Sequence, residues 1–396
     1  MNGKINELSK YSQVDIEKTD LISDVFERFP IVFESLKYSK SEDAIKSELI
    51  EKLECKSYDM DLEVEERNFK YCPKCGREYP LEDNYCSDCL VILKSLEDKV
   101  DVRDIEADPL FIFNGENEYD DFEKLLDRDN IEKINQFEFS YEDFSQILHD
   151  IKAQAFKNFD EIVKTNEIDF DSLGPLDKII LFTKSFVKVD FKSFGSQLGY
   201  FEEDTIFIDD RQSRSLQITT LIHELSHFLI QEILIHVICR ILNASRNSYI
   251  QSLVVFILSY HPFTQLIDEY SAHNVEGRFT MFGFQDYSSF IQIEKSLDVE
   301  MTPDEIEITK SIGNTFALHI KDILESLINR DLREEIKDQF LEDRVDRPNY
   351  SALKMENCQI LNEEGFIKSL WLILFDGFET ASENIDKLIQ VNDLNN

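Results

Sequence analysis

The chain has 396 residues, 42% of them hydrophobic and 31 of them Phe, and carries a formal net charge of -38. That apolar content excludes a mainly disordered protein, and the length exceeds what one core usually serves, so two or three structural units are expected. Acidic residues run along the whole chain and no basic stripe appears beyond pairs such as Arg211 and Arg214, which disfavours a nucleic-acid partner.

The opening residues MNGKINELSKYSQ lack the basic start, apolar run and small-residue cleavage site of a secretory leader, so a cytoplasmic location is expected. Residues 1–70 alternate apolar and charged positions at helical spacing, as in IVFESLKYSKSEDAIKSELIEKLE, and read as an acidic helical segment. Two CxxC pairs follow, Cys72 with Cys75 and Cys86 with Cys89, with ten residues between them. Four thiolates on two knuckles suit a closed tetrahedral zinc site, which holds a fold and does no hydrolysis. A redox role is the weaker reading, because two pairs so close together favour a metal over a disulfide exchanger. Residues 71–92 are therefore a metal-bound module and residues 93–138 an acidic linker with some docked apolar side chains.

From Phe139 the pattern is helical, through SYEDFSQILHDIKAQAFKNFDEIV and GPLDKIILFTKSF. The segments FVKVDF and DTIFIDD, separated by the Gly195 and Gly199 region, predict a small sheet. The apolar stretch Phe228 to Tyr260 is interrupted by Glu232, His236, Arg240, Arg246 and Asn247, so it reads as buried helices rather than a membrane span. Amphipathic helices follow over 301–396, the first capped by Thr302 with Glu305 three residues on. The fold class is α+β and mainly helical, with the sheet and an HExxH helix in a domain over 139–300.

That helix holds the main chemical signal, Thr220-Leu221-Ile222-His223-Glu224-Leu225-Ser226-His227-Phe228. Residues four apart share a helix face, so His223 and His227 turn their imidazoles toward one cation, with Glu224 beside them. A catalytic zinc needs a third protein ligand and one open position. The candidates lie in PFTQLIDEYSAH, opened by Pro262, where Glu269 and His273 share a face; one binds and the other supports, with Glu269 preferred and Asp268 and Glu276 behind them. Tyr270, His261 and Arg278 are nearby donors for a developing oxyanion, and none is singled out.

HELSH followed by DEYSAH resembles the zincin metallopeptidases, and within them the gluzincins. The resemblance covers roughly residues 170–280. It implies that His223 and His227 bind zinc, that Glu224 is the general base, and that Glu269 on the later helix is the third ligand. Gluzincins commonly carry aspartate four residues after that glutamate, where this chain has His273. The strand TIFIDD resembles the edge strand along which zincin substrates lie. The cysteine module resembles a zinc ribbon whose second knuckle ends in Leu90, where glycine is common, so a different turn is expected there.

The expected function is zinc-dependent peptide hydrolysis, with one catalytic and one structural zinc and a peptide or protein substrate. The competing reading is a non-catalytic adaptor that uses the ribbon and a zincin-like domain to bind proteins. Glu224 favours the enzyme, since an adaptor needs no base between the two histidines. A third reading is membrane-peripheral proteolysis through residues 228–260, against which solubility without detergent would argue.

Overall fold

The structure, a computed structural model, describes residues 69–394 apart from 73–77, 81–82, 88–89, 96–100, 195–197, 281–301 and 344–358 and the single positions 91, 93, 108, 110, 112, 203 and 261. The helical segment expected over 1–70, Cys75, Cys89 and His261 thus lie wholly or almost wholly outside the described residues. The described chain falls into two compact units, one holding 69–72 with 78–95 and one holding 101–193 with 198–394.

The first unit is an antiparallel sheet of β1 (Phe69–Tyr71), β2 (Glu78–Pro80) and β3 (Lys94–Ser95) in the order β2-β1-β3. Cys72 directly follows β1, and an antiparallel bridge between Tyr85 and Ile92 closes a second turn that holds Cys86. Lys70 Nζ ties the turns together, donating to Asp83 O at 2.9 Å and to Asn84 Oδ1 at 3.0 Å. Leu90 adopts φ 55°, with its N–H donating to Cys86 O at 2.9 Å. The different turn expected at this knuckle is not what forms. A leucine takes the left-handed conformation that glycine favours, at a cost on the order of 1–2 kcal/mol.

In the second unit, residues 101–137 are more than a connector. Val102, Ile105, Phe111, Phe122, Leu125 and Ile134 are buried in one hydrophobic core with the later helices. Two short helices form here, α1 (Phe122–Leu125) and α2 (Arg128–Gln136), each started by an aspartate, Asp121 and Asp127, whose side chain accepts from a first-turn N–H. Lys184, 3% exposed, anchors the start of the stretch, its Nζ donating to Arg103 O at 2.7 Å and Ile105 O at 2.6 Å. Burial lowers the pKa of that amine.

Helix α3 (Tyr141–Thr165) opens on a capping box of Ser140 and Asp143, and α4 (Pro175–Lys184) opens on a proline after Gly174. A sheet of β4 (Lys188–Lys192), β5 (Gly199–Glu202) and β6 (Thr205–Asp209) leads into α5 (Arg214–Leu242). Then come α6 (Ser248–Tyr260), α7 (Pro262–Phe279), α8 (Pro303–Leu324), α9 (Arg330–Glu342), α10 (Glu363–Glu383) and α11 (Ile385–Leu394). The box at the start of α8 forms as the sequence indicates, Thr302 N donating to Glu305 Oε2 at 2.7 Å and Glu305 N to Thr302 Oγ1 at 3.3 Å.

Helix α5 is the axis of the unit and is buried on nearly every side. By length and composition it could cross a membrane, but 83% of its most apolar window is buried inside the fold, as a core helix requires. Its fully buried Glu232 is held by Arg246, whose Nη2 lies 2.7 Å from Glu232 Oε1.

The small sheet has the order β4-β6-β5, with β4 parallel and β5 antiparallel to β6. TIFIDD is therefore the central strand and not the edge expected from sequence. Ile206 and Ile208 bury one face of it, and strands pair on both sides. The edge beside α5 is β5, GYFE, which lies in the glycine-containing stretch between the two predicted strands. Here glycine permits close approach. A Cβ on Gly199 would lie 2.6 Å from Phe207 O and 2.6 Å from Thr220 Cγ2, and two residues on, the Phe201 ring meets that of Phe228 at 5.7 Å. The strand thus follows α5 from Thr220 to Phe228. Gly199→Ala is expected to destabilise the unit by about 1–3 kcal/mol through this overpacking, measured by denaturant unfolding. An unchanged midpoint would show that β5 is not clamped between β6 and α5.

Candidate metal centre

The site forms where α5 packs on α7. On α5, His223 and His227 are four residues apart; on α7, Glu269, His273 and Glu276 follow at intervals of four and three, so each set occupies one helix face. The other side of α7 is fixed against α8. Ser271 Oγ reaches Gly313 O at 3.0 Å, and a Cβ on Gly313 would lie 2.9 Å from Tyr270 Cδ1. Tyr270 and Arg278, two of the donors considered for an oxyanion, turn toward α8: the Tyr270 ring lies against Gly313, and Arg278 Nη2 donates to Asn314 Oδ1 at 2.9 Å.

Three donors converge. His223 Nε2 and His227 Nε2 are 3.2 Å apart, Glu269 Oε1 is 3.6 Å from the first and Glu269 Oε2 is 3.5 Å from the second. These three residues form a group able to hold a metal ion. The opposite ring nitrogens also face carboxylates. Asp268 Oδ2 lies 3.0 Å from His227 Nδ1, and Glu276 Oε2 lies 3.3 Å from His223 Nδ1. A carboxylate at Nδ1 selects the tautomer with its proton there and leaves the Nε2 lone pair for a metal.

His273 stands behind the group. Its Nε2 is 3.2 Å from Glu269 Oε1 and its Nδ1 is 3.4 Å from Glu276 Oε2, while its ring meets that of His223 at 4.6 Å. It also belongs to a second, overlapping group with His223 and Glu276. That alternative would take the Nδ1 side of His223 and abandon His227, whereas the first group uses both α5 histidines and leaves each with a carboxylate support. Asp268 and Glu276, weighed in the sequence only as lesser ligand candidates, are those supports. The signal available for Glu276 was its spacing of seven from Glu269 on one face.

Charge in this pocket is dominated by carboxylates. Burial alone would lower the pKa of His223, but Glu269 and Glu276 outweigh it and push the ring well above its ordinary value. Against the same burial effect, the charge of Asp268 raises His227 to about 9, and Glu269 and Glu276 raise His273. Glu269, which burial would push up, is held well below the usual range by hydrogen bonds from His223 and His273. A site that draws protons onto buried histidines is one that favours a cation, and a divalent metal competes with those protons for the same nitrogens. Glu224 differs. It is 8% exposed, burial raises its pKa, and among the described residues no hydrogen bond or ion pair engages its carboxylate.

In the first unit, Cys72 and Cys86 are both fully buried in one small cluster with Tyr79, whose Oη lies 3.0 Å from Cys86 Sγ. Two thiols from separate knuckles thus share one interior.

Two substitutions separate ligand from support in the helical centre. Glu269→Ala removes one of three donors and should abolish stable metal retention, whereas Glu276→Gln should lower metal affinity by about 10–100-fold, read by chelator competition. Equal retention in both variants would show that Glu269 is not a ligand. Comparison of the chain with protein-family models, with curated proteins and with solved structures finds no match.

Proposed function

We propose that the chain is a zinc-dependent metallopeptidase, with His223, His227 and Glu269 as zinc ligands and Glu224 as general base. The observation that carries this reading is the convergence of two imidazoles and one carboxylate: His223 Nε2 and His227 Nε2 are 3.2 Å apart, and Glu269 presents Oε1 3.6 Å from the first and Oε2 3.5 Å from the second, so that one ligand atom from each of the three residues lies within 4.8 Å of the others. Two imidazoles and one carboxylate also suit zinc and leave a fourth position open.

Zinc held there supplies Lewis acidity and brings the pKa of a water ligand to about 7. The residues supply the rest. Glu224, next to His223 and made more basic by burial, accepts the proton of the attacking water and returns it to the leaving amine. Asp268 and Glu276 hold the histidine rings in orientation, and His273 holds Glu269. The strand β5 supports a peptide as substrate, because an edge strand running beside the HExxH helix offers backbone groups to an extended chain.

For the first unit the reading is a structural zinc on Cys72, Cys75, Cys86 and Cys89. Two buried thiols in contact range of one tyrosine, together with the left-handed turn at Leu90, support it. Cys72→Ser should then cost one zinc of two and loosen residues 70–92, leaving the helical centre loaded, as read by metal analysis and hydrogen exchange. Loss of both metals would contradict independent sites.

Glu224→Gln keeps shape and, with no coordinating role, should keep metal content and thermal stability. Peptide hydrolysis should fall by about 10²- to 10⁴-fold, measured against a peptide library. A variant that cleaves at the wild-type rate would remove Glu224 from the mechanism, and a wild type that binds peptides without cleaving them would make the protein an adaptor.

A further inference from the structure

A hollow lies among α3, α8 and the start of α10, and none of the metal-centre residues lines it. It measures about 520 Å³, within the range of small-molecule sites, and is lined by Tyr141, His319, Phe366, Asn362, Glu363 and Glu364 among others. An adjoining hollow of about 440 Å³ shares Tyr141, Glu363 and Glu364 and adds Phe137, Trp371 and Lys368.

His319 is the feature without a structural explanation. It is 8% exposed, and its ring packs edge-on against Phe144 at 5.0 Å and tilted against Phe366 at 4.9 Å. Among the described residues no hydrogen bond or ion pair reaches its imidazole, although it lines the cavity. Burial lowers its pKa to about 4, so at neutral pH the ring is uncharged and offers one acceptor nitrogen and one N–H. An apolar side chain would fill the same aromatic setting better, unless the polar edge meets something that enters.

The rest of the lining states what enters. Glu363 and Glu364 stand exposed at the rim, and among the described residues no Lys or Arg lines the larger hollow. Burial, followed by the negative charge of Glu363 and Asp322, raises the pKa of the Tyr141 phenol, which places the wall in a negative field. Tyr141, partly exposed, adds a π face, and an aromatic face with nearby carboxylates is the setting in which cations bind. An anion would meet two carboxylates, and a neutral apolar ligand would leave His319 unpaired.

We propose that this cavity binds an organic cation, an alkylguanidinium or alkylammonium, between the carboxylates of Glu363 and Glu364 and the ring of Tyr141, with His319 accepting a hydrogen bond from one of its N–H groups. The ligand is a free amine or the side chain of a basic residue in a peptide, which share this chemistry.

The chain's single tryptophan is Trp371, in the adjoining hollow that shares Tyr141, Glu363 and Glu364, so intrinsic fluorescence is a nearby reporter and calorimetry the direct measure of binding. Full-length, metal-loaded protein is titrated with agmatine, with acetyl-Gly-Arg-Gly-amide and with uncharged N-butylacetamide, and calorimetry is run in parallel. Saturable binding of either cation, at least about tenfold tighter than the amide, is expected. Agmatine alone binding identifies a free small molecule, and peptide binding identifies a basic residue. In the Glu363→Gln, Glu364→Gln double variant, affinity should fall at least about tenfold with metal content and thermal midpoint unchanged. His319→Phe should weaken binding while keeping the ring packing. Equal binding of cation and amide, carboxylate removal without effect, or no binding at millimolar ligand would overturn the proposal.

Discussion

The contact between α5 and α7 brings three histidines and the carboxylates of Glu269 and Glu276 together with most of their surface covered, and the packing around them answers to that concentration of charge. Buried like charges repel, and cationic histidines or a metal beside Glu269 and Glu276 relieve that repulsion. Glu269 lies against all three rings and Glu276 against two, so that they share His223 and His273. Whatever cation occupies the space therefore contributes to holding the two helices together, and ligand occupancy and fold stability are linked.

Around that contact the packing is arranged to keep α7 still. Gly313 brings α8 close to the side of α7 away from the histidines, and Ser271 fastens it there. On the other flank of α5, Gly199 brings β5 down onto Thr220. The two glycines work alike: each removes a side chain so that an element reaches the helix bearing a site residue. A continuous core from Val102 to Leu388 surrounds them, so the helices after residue 303 and the stretch after residue 101 brace the same centre.

Much of this was legible in the chain. HExxH on a helix, Glu269 and His273 on one face of the next, and the Thr302 cap all follow from periodicity and spacing. What periodicity cannot show is which partner faces which nitrogen. Asp268 and Glu276 became supports through the rotation of α7 against α5, a tertiary fact with no local signature beyond the helical interval. The strand GYFE was hidden for a similar reason, since its glycine is selected by a helix twenty residues later and not by its own neighbours. Leu90 shows the converse, a residue whose intrinsic preference is overridden by the turn that Cys86 closes.

Glu276 has one further consequence, which follows from its sharing. A single carboxylate oxygen serves both His223 and His273, and His273 in turn steadies Glu269. The energies of substituting these positions should therefore not add: removing His273 after Glu276 is lost should cost less than removing it first. A site wired this way resists stepwise alteration. One exchanged residue disturbs several neighbours at once, while a compensating pair restores most of the arrangement, so viable departures from this set arise in couples rather than singly.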